Sequence, residues 1–197
     1  MDVLNNFRGL SPTLDNGIDL LTGTAMHEGG QAAYRVALRG PHFTLRHYTP
    51  EGQPCEGQPL LLVPAMMARA EVYDLAPESS AVRLLCEAGR DVWVVDFGDP
   101  ETEPGGMERT LDDYLGAING SISYIHSAVG QDVHVAAYSQ SGMLVYQVAA
   151  YRRGEGIASI IAFGSMCDVH KNVFPSYWDQ DRAARNYENW FAPMMAL

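Results

Sequence analysis

Four short apolar runs constrain the fold of this chain more than any other feature: residues 60–63, 91–97, 132–138 and 157–163. Each has the length of a strand rather than a helix; residues 60–63 are a continuous apolar run, and the others are largely apolar rather than alternating. A strand buried on both faces reads this way. Helical patterns separate the runs. One lies near residues 80–88 and is stopped by Gly89. The next begins at Thr110-Leu111-Asp112-Asp113, a Thr-x-x-Asp helix start, and carries Leu111, Leu115, Ile118, Ile122 and Ile125 at helical spacing up to Gly130. The third follows Gly142, with Leu144, Val145, Val148 and Ala149 on one face and Arg152-Arg153 near its end. Strand and helix in alternation predict a parallel sheet built from right-handed crossovers, with functional groups at the carboxyl ends of the strands. Ahead of the first run, residues 33–38 and 42–48 alternate around Gly40-Pro41 and predict an antiparallel hairpin.

The third run passes directly into Ala137-Tyr138-Ser139-Gln140-Ser141-Gly142 and then into a helix. Strand, sharp turn and helix with small residues two positions either side of a serine is the pattern of a nucleophile elbow. The small residues are needed because the serine takes a strained backbone conformation and its neighbours face strand and helix at close range. Ser139 is the candidate nucleophile. The backbone N–H of Gln140, at the helix start, is a candidate donor to a developing oxyanion. The competing reading makes Ser139 a helix N-cap and nothing more. A second oxyanion donor is expected from the loop Pro64-Ala65-Met66-Met67, with the Met66 N–H preferred and Ala65 the alternative. That loop also reads as a plain tight turn, and its methionines either as acyl-pocket lining or as core filler.

The motifs Pro64-Ala65-Met66-Met67, Val72-Tyr73-Asp74-Leu75-Ala76-Pro77-Glu78-Ser79-Ser80-Ala81-Val82, Val94-Val95-Asp96-Phe97-Gly98-Asp99-Pro100 and Tyr138-Ser139-Gln140-Ser141-Gly142 resemble the polyhydroxyalkanoate-synthase branch of the α/β-hydrolases. The run Gln147-Val148-Ala149-Ala150-Tyr151-Arg152-Arg153 is most similar to one subgroup, the hydrolase-like N-terminal region of large bacterial acyl-CoA synthetases. The resemblance covers about residues 40–175. It implies an α/β-hydrolase fold, a mostly parallel sheet with flanking helices, and an acyl-group substrate held as a fatty-acyl ester or a CoA thioester. The chain departs from that pattern in two ways. The polymer synthases place Cys at the nucleophile, where this chain has Ser139, a poorer thioester-exchange nucleophile. The sequence also holds no Ser/Thr/Gly-rich phosphate-binding loop, so adenylation is not assigned to it.

In this fold the order is nucleophile, acid, histidine. After Ser139 the only histidine is His170, and Asp168 and Asp179 are the nearest acids. Asp168 and His170 follow the fourth apolar run, where an acid can reach the correct sheet edge. They stand two residues apart, however, whereas the usual histidine comes from a separate loop, and the plainer reading makes them loop residues. His134, inside the third run, reads as a core or sheet-face histidine.

The formal charge of −11 excludes the basic face that a nucleic-acid partner needs and offers no polybasic patch to a membrane. The N-terminus shows neither signal-peptide character nor a membrane span. Three dispersed cysteines without ligand spacing suit a reducing compartment and predict no metal site. No cofactor is expected, and a cytoplasmic location is.

The domain reading is one incomplete α/β-hydrolase domain over 1–197, truncated after the sixth strand. Residues 1–32 are its N-terminal extension, and 176–197 begin a cap or covering helix. A bare apolar strand edge at 157–163 would call for a C-terminal continuation or an oligomer partner. Three functions fit. The first is a serine acyl hydrolase or acyltransferase. The second is a non-catalytic acyl-binding or interaction module of a larger acyl-CoA synthetase, and the third an accessory protein of polyhydroxyalkanoate granules.

Overall fold

The computed structural model describes residues 32–49, 55, 57–103 and 105–165. The readings made for the cap helix at 176–197 and for the bulk of the 1–32 extension lie outside them. Among the described residues one six-stranded sheet runs in the order β1-β2-β4-β3-β5-β6. Its strands are β1 (Arg35–Gly40), β2 (Phe43–Tyr48), β3 (Leu60–Val63), β4 (Val92–Asp96), β5 (Val133–Tyr138) and β6 (Ile157–Phe163). The expected hairpin is β1 with β2, antiparallel, and β2 joins β4 antiparallel. The strands β3, β4, β5 and β6 are parallel. The chain leaves β3 for β4 on one side and returns to place β5 on the other. The direction of winding therefore reverses at the β3–β5 boundary, and a crevice opens there at the carboxyl ends of the strands.

Among the described residues three α-helices flank the sheet: α1 (Ala81–Glu87), α2 (Leu111–Val129) and α3 (Gln140–Arg152). Helix α1 is capped by Ser80, whose hydroxyl accepts from the Arg83 N–H at 3.0 Å. Helix α2 starts with the expected capping box, the Thr110 N–H donating to the Asp113 carboxylate at 2.8 Å, and ends at Gly130 with φ 73°. A left-handed residue closing a helix is the usual place for glycine.

Both faces of the sheet are covered, which explains the continuous apolar runs. On one face Leu61, Val63, Trp93, Val95, Val133, Val135 and Ala137 pack with Ile118, Ile122 and Ile125 of α2 and Leu144, Val145 and Val148 of α3. On the other, Leu62, Val92, Val94 and Ala136 pack with Val82 of α1 and with Ala70. Three expectations are corrected. Leu111 shares the helical spacing but lies in the first turn, past the end of the core, and is 58% exposed. Helix α3 begins at Gln140, where the elbow reading placed its start, and not after Gly142 as the apolar face suggested. Strand β6 is not buried on both faces. Among the described residues it is the sheet edge, and Ile161 and Phe163 are 43% and 53% exposed.

Among the described residues no helix is long and apolar enough to cross a membrane. No group of three or more His, Cys, Asp or Glu side chains there is placed to hold a metal ion.

Candidate active site

Strand β5 ends at Tyr138 and α3 begins at Gln140, so the whole turn between them is Ser139. Its backbone has φ 57° and ψ −125°, well outside the regions open to ordinary L-residues. Such a conformation costs about 1–3 kcal/mol and persists only where its surroundings impose it. Here they do. The Ser139 N–H donates to the Phe163 carbonyl of β6 at 2.8 Å. The Ser139 carbonyl accepts from the Gly142 N–H at 3.1 Å and from the Ser165 hydroxyl at 2.7 Å. The Ser139 side chain makes no capping bond to α3, which answers the N-cap reading.

The small residues of the elbow have physical reasons. Ala137 is fully buried, between Val63 of β3 and Ala162 of β6. A β-carbon on Gly142 would stand 2.0 Å from Ser165 Oγ and 2.5 Å from Ser165 Cβ. Ser141 is fully buried, and its hydroxyl donates to the Pro64 carbonyl at 2.5 Å.

That last bond brings the elbow and the loop after β3 together. The loop opens with a turn closed by the Ala68 N–H on the Ala65 carbonyl at 2.8 Å, which puts Met66 and Met67 at its tip. Met66 packs against the main core, and Met67 is 87% exposed. The Tyr73 hydroxyl donates to the Val63 carbonyl at 2.9 Å. Burial pushes the Tyr73 phenol well above its usual range, so it is a neutral donor. Two successive carbonyls at the end of β3, Val63 and Pro64, are thus each met by a side-chain hydroxyl. Gln140 is the first residue of α3, and its N–H is one of those a helix leaves without an intrahelical acceptor.

The loops after β3 and β4 are joined by charge. Arg69 lies 3.3 Å from Asp99. Arg46 of β2 reaches Glu71 at 2.8 Å and, through Nε, Asp96 at 3.0 Å. Burial alone would lower the Arg46 guanidinium, but Asp96 and Glu71 outweigh it and hold it above its usual value. Asp96 stands at the carboxyl end of β4, on the same edge as Ser139, yet this acid is taken up by Arg46.

Asp168 and His170 lie outside the described residues. His134 sits on the sheet face as expected, its Nδ1 2.7 Å from the Ser159 hydroxyl. The sequence reading missed Ser165, Tyr73 and the hydroxyl of Ser141. Ser141 was explained by size alone, Tyr73 stood only within a motif of the family resemblance and was given no role, and Ser165 carries no local motif.

No family model matches the chain. It is 28% identical over 162 residues to the poly(3-hydroxyalkanoate) polymerase subunit PhaC of Haloarcula marismortui, covering 77% of this chain and 34% of that one. To the subunit of the same name from Allochromatium vinosum it is 30% identical over 144 residues, covering 72% and 39%. The chain therefore spans about a third of the length of the curated relatives it matches. Among solved structures, the Francisella virulence factor BioJ superposes with a TM-score of 0.50 at 17% identity, over 80% of this chain and 53% of that one, a likeness of fold. The reversal of winding between β3 and β5, the strained serine at the head of α3 and these similarities agree: the chain has an α/β-hydrolase fold and is similar in sequence to poly(3-hydroxyalkanoate) polymerase subunits.

Proposed function

We propose that the protein is a serine acyl hydrolase or acyltransferase acting on a fatty-acyl ester or a CoA thioester, with Ser139 as nucleophile. The observation that carries this reading is the backbone of Ser139. A non-glycine residue at φ 57° between strand and helix, with its hydroxyl unused as a cap, is hard to explain by stability. In the reaction, Ser139 Oγ attacks the acyl carbonyl and its proton passes to a general base. The N–H groups of Gln140 and Met66 receive the oxyanion. The alcohol or thiol leaves with a proton, and water or another alcohol resolves the acyl-enzyme. Within this chain, His170 and Asp168 are the candidates for base and acid. The free thiols of Cys55 and Cys86 fit a reducing, cytoplasmic setting.

The test is labelling of the full chain with a fluorophosphonate probe, alongside hydrolysis of p-nitrophenyl butyrate and an acyl-CoA. Label that disappears in Ser139→Ala supports the reading. A folded wild type that takes up no label overturns it. Slower labelling in His170→Ala and Asp168→Asn would place the base within this chain.

A second reading, a non-catalytic acyl-binding module of a larger acyl-CoA synthetase, has one observation in its favour. Among the described residues no side chain is hydrogen-bonded to the Ser139 hydroxyl, so no base is seen on it.

A further inference from the structure

The tight turn at Ser139 requires a small residue at position 141, and glycine or alanine would meet that need as well as serine. The hydroxyl is surplus to it, yet it is fully buried and directed at one atom, the Pro64 carbonyl, 2.5 Å away. The bond closes 77 residues of sequence and joins the two segments that carry the candidate oxyanion donors. The Pro64–Ala65 peptide is trans and planar, so its carbonyl and the Ala65 N–H point in opposite directions. With the carbonyl directed at Ser141, the Ala65 N–H is turned away from the elbow. The next N–H along the chain, that of Met66, lies at the second position of the turn closed between Ala65 and Ala68, where the turn itself supplies no acceptor. Tyr73 fixes the preceding carbonyl, Val63, independently. The next peptide plane, Pro64–Ala65, is held by Ser141.

We infer that Ser141 is a positioning residue: by holding the Pro64–Ala65 peptide it selects Met66 over Ala65 as the second oxyanion donor and aims that N–H at the site served by Gln140. This rests on the acyl-transfer reading of Ser139. The role is distinct from a structural one, because any buried hydroxyl bonded to a carbonyl adds stability, but only this one would govern reactivity at Ser139.

The full chain supplies the test, read as the second-order rate of fluorophosphonate labelling and as kcat and KM for p-nitrophenyl butyrate. Ser141→Ala is expected to slow labelling about tenfold and to lower kcat with KM unchanged. The effect should be smaller than the 10²–10³-fold typical of deleting a donor outright, because the donor is misaimed and still present. Ser141→Gly deletes the same hydroxyl without bulk and serves if the alanine variant folds poorly. Ser121→Ala is the control. It removes another fully buried hydroxyl, bonded to the Ala117 carbonyl at 2.7 Å within α2, and should lower the melting temperature while leaving labelling unchanged. Met66→Pro removes the donor itself at a turn position that accepts proline. Ser141→Ala added to Met66→Pro should then cost nothing further, since both act through one N–H. Labelling of Ser141→Ala at the wild-type rate overturns the inference, as does an undiminished Ser141→Ala effect in the Met66→Pro background. In either case a wild type that labels at Ser139 leaves the acyl-transfer reading standing. A wild type that does not label removes both.

Discussion

The Ser165 hydroxyl donates to the Ser139 carbonyl at 2.7 Å from a position that a side chain on residue 142 would have to share. The first turn of α3 and the loop after β6 are therefore fitted to each other. Gly142→Ala should destabilise the chain by about 1–3 kcal/mol, the range for forcing a methyl into a packed site. Ser165→Gly in the same chain frees the space and should recover most of that loss. Urea denaturation of the single and double variants measures the coupling, and additive effects would show that the two residues are not in conflict.

The backbone at Ser139 predicts a stability effect opposite in sign to most active-site substitutions. Ser139→Gly places the one residue type that tolerates positive φ freely at a strained position, and should raise stability by about 1 kcal/mol while abolishing labelling. Ser139→Ala keeps the strain and should melt close to wild type. The comparison by thermal melts separates backbone relief from loss of the hydroxyl.

Arg46 should be among the least replaceable charged residues. Its side chain is nearly buried and bridges Asp96 and Glu71. Arg46→Met leaves Asp96 as a buried carboxylate without its cation, which should cost about 3–5 kcal/mol. Asp96→Asn in the same background removes the stranded charge and keeps an acceptor for the Gly98 N–H, 2.9 Å away, so more than half of the loss should return. Denaturant midpoints report both values.

Asp91 predicts the acid limb of stability. It lies buried at the amino end of the sheet, 2.5 Å from Nε2 of His47, whose ring stacks on Trp93. Burial pushes this carboxyl up, but the His47 hydrogen bond and nearby positive charge prevail and hold it below its ordinary value. A carboxyl lower in the folded than in the unfolded chain stabilises fully above the unfolded value of about 3.9, and loses that contribution as pH falls through the folded one. The wild type should therefore melt above Asp91→Asn at pH 6, with the gap closing as pH drops below about 4. Parallel curves for the two proteins down to pH 2 would contradict this.

The fold was legible where one residue pattern has one physical solution. Runs such as 60–63 and 92–95 are apolar at every position because both sheet faces are covered, and no exposed strand needs that. The same logic misread β6, since an apolar run looks alike whether or not its faces are covered, and coverage is set by distant chain. The elbow was legible because Ala137, Ser139, Ser141 and Gly142 follow one another. Its fastening was not. The Arg46–Asp96 pair spans 50 residues and the Ser141–Pro64 bond 77, and each depends on a strand register that no local signal specifies. Serine at position 141 was accounted for by size, which hid the direction of its hydroxyl.

The grip on Ser139 also orders events in time. Its strained backbone is held from β6, through Phe163, and from the loop after β6, through Ser165, while Ser141 ties the turn to the end of β3. The full set of holds exists only once β5 has paired on both sides, and parallel strands joined by crossovers pair late because each requires a long loop to close. A refolding chain should recover its helical signal first and its reactivity toward a serine probe last. The nucleophile thus acts as a clock, marking the moment when the two strands beside it have both arrived.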